Sequence, residues 1–204
     1  MKKMLIAALM FSGIISASAQ SEGDFRLGVT GGMNVAKVTD LEADCRIGFN
    51  LGARVEYGIT NQVYAGTGLL LSLKGFEEEY YDDEDVKMEV KGNPLYLQIP
   101  IHVGYKYDLG NGVGLFGETG PYLAFGVGGK IKEEMKVEGL SVEGKTDYFG
   151  DDAANVFDMG WGLRLGVEVS RFQIHLGYEY GFTKVVDDTS SHNSNFNVGV
   201  SYFF

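Results

Sequence analysis

From Asp24 to its last residue the chain alternates an apolar residue with a small or polar one, and it does so in eight separate segments. A repeat of two is the signature of a β-strand, whose successive side chains point to opposite faces. In the first segment Phe25, Leu27, Val29, Met33 and Val35 share one face, while Arg26, Gly28, Thr30, Gly32 and Asn34 share the other. The second sets Ile47, Phe49, Leu51, Ala53, Val55 and Tyr57 against Arg46, Gly48, Asn50, Gly52, Arg54 and Glu56. The pattern returns over residues 63–74, 95–106, 113–127, 157–169, 172–182 and 195–204. Twelve Tyr and 13 Phe against only 3 Pro suit a chain made of many strands.

Alternation alone does not say which face is buried. Here the polar face carries Arg54, Glu56, Lys74, Lys106, Glu118, Arg164, Glu168 and Glu179 at mid-strand. A soluble barrel would turn its oily face inward and expose these charges; a membrane barrel turns the oily face to lipid and the polar face to its lumen. The connections decide between them, because they alternate in length. Residues 36–44, 76–93, 131–155 and 184–193 are long, whereas 59–62, 108–112 and Ser170-Arg171 are short. Short periplasmic turns, longer extracellular loops and periplasmic termini are the rule for outer-membrane barrels. Aromatic residues also gather near the segment ends, at Tyr57, Tyr105, Tyr107, Phe157, Phe172, Tyr180, Phe182, Tyr202 and Phe204, as interfacial girdles require. The expected fold is all-β, an eight-stranded antiparallel up-and-down transmembrane β-barrel, in the outer membrane of a Gram-negative bacterium.

Residues 1–19 are read as a cleaved signal peptide: Lys2 and Lys3, an apolar run from Met4 to Ile15, then Ala17-Ser18-Ala19. The run is too short for a spanning helix, which needs about 20 apolar residues. Residues 20–204 are then a single barrel domain. No Cys stands at the cleavage point, so a lipoprotein anchor is not expected, and Cys45 as the sole thiol makes no internal disulfide. Removing Lys2 and Lys3 leaves 15 basic residues against 28 acidic ones, taking the formal charge from −11 to −13. Such a chain repels nucleic acid, which is bound through basic patches.

Leu69-Leu70-Leu71-Ser72-Leu73-Lys74-Gly75, Tyr96-Leu97-Gln98-Ile99-Pro100 and Gly120-Pro121-Tyr122-Leu123-Ala124-Phe125-Gly126 with Gly129-Lys130 resemble segments of the PorT-like outer-membrane β-barrel family. The terminal Tyr202-Phe203-Phe204 is similar to the aromatic signal read by the barrel-assembly machinery. The resemblance spans nearly all of the chain after the signal segment. It implies a fold and an address, with a secretion accessory among the roles. Pro100 falls mid-strand, where its missing N–H is expected to cost a ladder bond or force a bulge.

Several motifs look chemical and fail on context. Gly139 to Thr146 spells a Walker A sequence, but a P-loop must follow a strand and open a helix, and Asp147-Tyr148-Phe149-Gly150-Asp151-Asp152 has no helical period. Gly112 to Gly117 spells the dinucleotide fingerprint at the entrance to a strand, without a βαβ frame. His102 and His175 share the lumen parity and His192 lies in the last loop, so no converging metal ligands are expected. No His occupies the lipid-facing parity, where a membrane hydrolase would need its base. The acidic run Glu77 to Asp85 offers carboxylates to Ca²⁺ or Mg²⁺ but lacks EF-hand spacing; a solvated charge run is the plainer reading. No enzyme activity, cofactor or metal is therefore expected.

An eight-stranded barrel is just wide enough for side chains to fill, and charges inside must be paired. The eight mid-strand charges are accordingly expected to plug the lumen. Residues 76–93 and 131–149 keep strand alternation past the 9–11 residues that span a membrane, so they should stand above it as hairpins. Their edges and the aromatic residues Tyr80, Tyr81, Tyr148 and Phe149 are candidate contacts for an extracellular protein or polysaccharide. The other partners expected are outer-membrane lipid and, during biogenesis, the assembly machinery. The leading function is a non-enzymatic surface or envelope-supporting barrel; the alternative is a narrow channel or secretion-accessory component.

Overall fold

The structure, a computed structural model, describes residues 22–39, 44–81, 86–137, 140–149, 154–185 and 191–204. The expected signal segment lies outside the described residues. Ten strands follow one another: β1 (Phe25–Val38), β2 (Asp44–Gly58), β3 (Val63–Leu73), β4 (Phe76–Tyr81), β5 (Val86–Gly110), β6 (Val113–Val137), β7 (Leu140–Asp147), β8 (Phe157–Val169), β9 (Phe172–Lys184) and β10 (His192–Phe203). Eight of them close a hydrogen-bonded ring in the order β1, β2, β3, β5, β6, β8, β9, β10, and β1 pairs β10 to seal it. Every pairing between these strands is antiparallel. Closure leaves no unpaired edge in the barrel wall, the condition for crossing lipid with strands.

The alternation in sequence becomes the two faces of the wall. Leu51, Ile101, Leu165, Ile174 and Leu176 are each at least half exposed, whereas Arg54, Glu56, Tyr64, Gln98, Glu118 and Gln173, on the other parity, are at most 1% exposed. Such an oily exterior is unstable in water and suits lipid. Trp161 stands in that outer face, and its indole N–H donates to the Thr119 hydroxyl at 2.7 Å, so no donor is left bare in the hydrocarbon. Rings stack at both rims: Phe25 on Tyr57 and Phe172 on Tyr202 at the end with short turns, Phe125 on Phe157 and Tyr180 on Phe182 at the other.

Two of the ten strands are not staves. β5 and β6 run 25 residues each, far beyond a membrane span, and beyond the barrel they pair with each other from Val86↔Val137 to Asn93↔Lys130. β4 folds onto the free flank of β5, and β7 onto that of β6. The surplus alternation leads one to expect hairpins here, and the β5–β6 pairing joins the two into one four-stranded ribbon, β4-β5-β6-β7, on one side of the mouth. A bulge between Leu95 and Tyr96, opposite Gly126 and Gly128, separates ribbon from wall. It adds a residue to β6 and so flips the parity of that strand above it, while β5 keeps its own. Ile131 thereby turns inward and the lysines beside it turn outward.

Pro100 forces no bulge. The β3–β5 register is the same on either side of it, with Thr67↔Ile101 and Leu70↔Gln98, and the Thr67 hydroxyl donates to the Pro100 carbonyl at 2.8 Å.

Candidate functional site in the lumen and above the mouth

The inward parity of the eight staves brings five cations (Arg26, Arg54, Lys74, Lys106, Arg164) and five carboxylates (Glu56, Glu118, Asp158, Glu168, Glu179) into one column, arranged in three tiers. Nearest the short turns, Lys106 bridges Glu56 at 2.7 Å and Glu168 at 3.1 Å. Arg26 reaches Glu168 at 3.0 Å, and the Gln173 amide donates to Glu56 at 3.1 Å and to Glu168 at 2.7 Å. The Arg26 guanidinium lies over the Phe203 ring, 4.4 Å from its centre.

In the middle tier Glu118 is the hub. Its carboxylate accepts from Arg54 at 2.7 and 2.9 Å, from the Tyr64 hydroxyl at 2.9 Å and from Arg164 at 3.1 Å, and it lies 3.2 Å from His102 Nδ1. Arg54 also stands 3.7 Å from Glu56, which ties this tier to the one below. A carboxylate this deep is tolerable only because so many donors converge on it. In the upper tier Lys74 lies between Asp158 (3.8 Å) and Glu179 (3.7 Å), over the ring of Tyr122. Gln98 and Asn195 donate to Glu179, while Tyr122, Thr183 and Asn193 donate to Asp158.

The structure thus brings together all eight charges singled out from the sequence. It adds Arg26 and Asp158, one charge of each sign, and the neutral donors Tyr64, Tyr122, Gln98 and Gln173. Arg26 and Asp158 carry the same parity signal as the other eight and lie nearer the strand ends.

Above the charges sits an apolar cork. Val38, Tyr148, Ala154 and Val185 form a buried cluster with Phe76, Ile131 and Phe149 packed against it, and Phe149 also covers Tyr96, Tyr122 and Ala124. Tyr148 and Phe149 were expected as exposed loop contacts, and here the structure corrects the reading: Tyr148 is 1% exposed, and both rings turn into the mouth. Glycines make the room. A Cβ at Gly126 would collide with the Phe149 ring, and one at Gly92 would come within 2.9 Å of Tyr148. Rings that can leave water do so. Burial, with Asp158 beneath, holds the Tyr148 hydroxyl neutral well past the ordinary tyrosine range. Of Tyr80 and Tyr81 the backbone places are defined, paired with Met88 and Lys87 in the β4–β5 hairpin. The acidic run that begins at Glu77 continues past that strand into 82–85, which lie outside the described residues.

The ribbon's outward face is charged in rows. Lys91, Lys132 and Lys145 lie side by side on β5, β6 and β7; Glu89, Glu134 and Glu143 form the next row up. Lys91 bridges Glu77 at 2.9 Å and also Glu89, and these hydrogen bonds raise its pKa. The Walker-like stretch is strand β7 from Leu140 onward, and no helix follows it among the described residues. Among the described residues no three His, Cys, Asp or Glu side chains converge as a metal site.

A closed antiparallel ring with a lipid-facing exterior and a charged, side-chain-filled interior defines a transmembrane β-barrel. Residues 18–187 match the model of the outer membrane protein beta-barrel domain family, and the chain belongs to that family, whose address is the outer membrane of Gram-negative bacteria. Solved structures with a similar fold include the attachment invasion locus protein Ail of Yersinia pestis (18% identity, covering 90% of this chain and 99% of that one, TM-score 0.41). Neisserial surface protein A is 14% identical over 88% of this chain and 97% of its own, with a TM-score of 0.47. OprG of Pseudomonas aeruginosa is 12% identical over 91% and 98%, with a TM-score of 0.42. No curated protein matches the chain.

Proposed function

We propose that this barrel is a non-enzymatic surface element whose lumen is sealed and whose ribbon, outside the cell, meets a protein or polysaccharide or braces the envelope. The observation that carries the reading is the state of the lumen: Arg54, Glu56, Gln98 and Glu118 from β2, β5 and β6, and Lys74 just after β3, are at most 2% exposed. A water-filled path along the axis would wet them. His102 and His175 are likewise buried, away from the lipid face where a membrane hydrolase meets its substrate. Tyr202 and Phe204, whose rings stack at 5.5 Å on the periplasmic rim, are assigned in this proposal to the assembly signal. The PorT-like segments in β3, β5 and β6 favour a second reading, an accessory of secretion, which a sealed barrel could also serve.

The test is conductance together with binding. Purified protein in planar bilayers should give no steady current, and a barrel with 76–93 and 131–149 cut to tight turns should assemble yet lose the surface interaction of the full protein. Stable open channels in the unaltered protein would replace this reading with transport.

A further inference from the structure

Among the described residues strand β7 has one partner. It pairs β6 from Lys130↔Asp147 to Val137↔Leu140, no described strand pairs its other edge, and every residue from Ser141 to Asp147 is exposed. An open, regular edge is a template for another strand. Three features of this edge say what strand it fits.

Its charges are mismatched within their own sheet. Lys145 lies across from Lys132 and Glu143 across from Glu134, and like charges directly opposite are destabilising. Among the described residues neither Lys145 nor Glu143 makes an ion pair. The edge is also self-complementary. In Ser141-Val142-Glu143-Gly144-Lys145-Thr146-Asp147, an antiparallel copy centred on Gly144 sets Glu143 against Lys145 twice, on the same face, and Val142 against Thr146. Gly144, finally, has no local reason to be glycine. Its backbone is ordinary strand, and a Cβ there would meet nothing closer than Glu133 at 3.7 Å. Glycine inside a strand weakens it and often marks the close approach of another backbone.

Resting on the ribbon as the working surface, we propose that its partner is a second copy of this chain, the two β7 edges pairing antiparallel about Gly144 into one sheet that runs through both ribbons. The two-fold axis of such a pair is perpendicular to the sheet. β6 leaves the membrane and β7 returns to it in every copy, so neighbours in one membrane present β7 in the same direction. Antiparallel pairing therefore joins copies in facing membranes, and the contact is homophilic adhesion.

Charge exchange tests this. Glu143→Lys gives a copy with two cations at the outward positions, and Lys145→Glu gives one with two anions; both sites are exposed, and folding is checked by the mobility shift between unboiled and boiled samples. The unaltered barrel in detergent should dimerise in sedimentation experiments. Each single variant should self-associate roughly tenfold more weakly, since two attractive cross-strand pairs become repulsive. An equimolar mixture of the two variants should recover the affinity, as should the double exchange within one chain. Vesicles carrying one variant should cluster only with vesicles carrying the other. A monomeric unaltered protein, single variants that dimerise normally or a mixture that recovers nothing would overturn the proposal. Recovery only when both variants share a vesicle would overturn the facing-membrane geometry. If the protein stays monomeric while ribbon shortening still abolishes binding to another surface molecule, this inference fails and the ribbon reading stands.

Discussion

The lumen and the ribbon share β5 and β6 and nearly the same charged residue types, but they arrange those charges in opposite ways. In the lumen each cation faces carboxylates from other staves: Lys106 on β5 meets Glu56 on β2 and Glu168 on β8, and Glu118 on β6 meets Arg54 on β2 and Arg164 on β8. Across β5, β6 and β7 of the ribbon like stacks beside like, Lys91 by Lys132 by Lys145 and Glu89 by Glu134 by Glu143, while Glu77 on β4 faces Lys91. Burial accounts for the difference. An unpaired charge in the lumen costs several kcal/mol, of order 3–5 when a partner is removed, whereas exposed pairs contribute about 0–1 kcal/mol either way. Stability therefore dictates the lumen and leaves the ribbon free to present charge to something else.

The sharpest way to break this comparison is Glu118→Gln. The shape is kept, but Arg54 and Arg164 lose their common counter-ion while still buried. The expected loss is about 3–5 kcal/mol. Urea unfolding from lipid vesicles, followed by the fluorescence of Trp161, the single tryptophan, would measure it. Replacing Arg54 by Gln in the same chain should restore part of the loss, because one uncompensated cation goes with the anion. A loss below about 1 kcal/mol, the range of an exposed pair, would mean that water reaches Glu118 and that lumen and ribbon do not differ in kind.

A smaller effect separates the cork from the charges. Phe149→Ala removes a ring that covers Tyr96 and Tyr122 at the mouth. Because the ring is half-buried, the cost should be about 1–3 kcal/mol, under the ~3–5 of a fully buried phenylalanine. Hydrogen exchange should quicken at the mouth and leave the barrel wall unchanged. Planar bilayers should still show no current, since three tiers of side chains lie beneath. A current in this variant alone would move the seal from the charges to the cork.

What the sequence disclosed follows the same division. Strand number, the facing of each side chain and the set of lumen charges are all local parity, and alternation carries parity residue by residue. Which cation meets which carboxylate depends on how far each strand is staggered against the next, and nothing local records stagger; Glu118 could not be recognised as a hub from residues 113–127. The bulge opposite Gly126 and Gly128 is hidden for the same reason, because its added residue lies in a run that alternates acceptably without it. Tyr148 and Phe149 were misplaced because their cradle, Gly92 and Gly126, comes from two other strands. A ring in a polar loop reads as exposed until those glycines are beside it.

The smallest expected effect lies in the ribbon itself, at Lys91, and it sharpens the comparison from the exposed side. Hydrogen bonds to Glu89 and Glu77 raise the Lys91 pKa above its ordinary value. A cation whose pKa is higher folded than unfolded contributes stability that is fully present below the unfolded pKa and fades as pH climbs through the folded one. The contribution should thus be constant through neutral pH and vanish only in strong alkali, above the ordinary lysine range. Its size is limited because the side chain is a third exposed and solvent screens the pair. Lys91→Met should therefore slow or quicken exchange in the β4–β5 hairpin by no more than a few-fold, and leave global unfolding of the barrel within about 0.5 kcal/mol of the unaltered protein. The difference between variant and parent should shrink as pH is raised past the lysine range, because the parent then loses the same charge. A global loss as large as that of Glu118→Gln would show that ribbon and barrel unfold as one unit, and the ribbon would then be a structural extension of the wall rather than a surface free to bind.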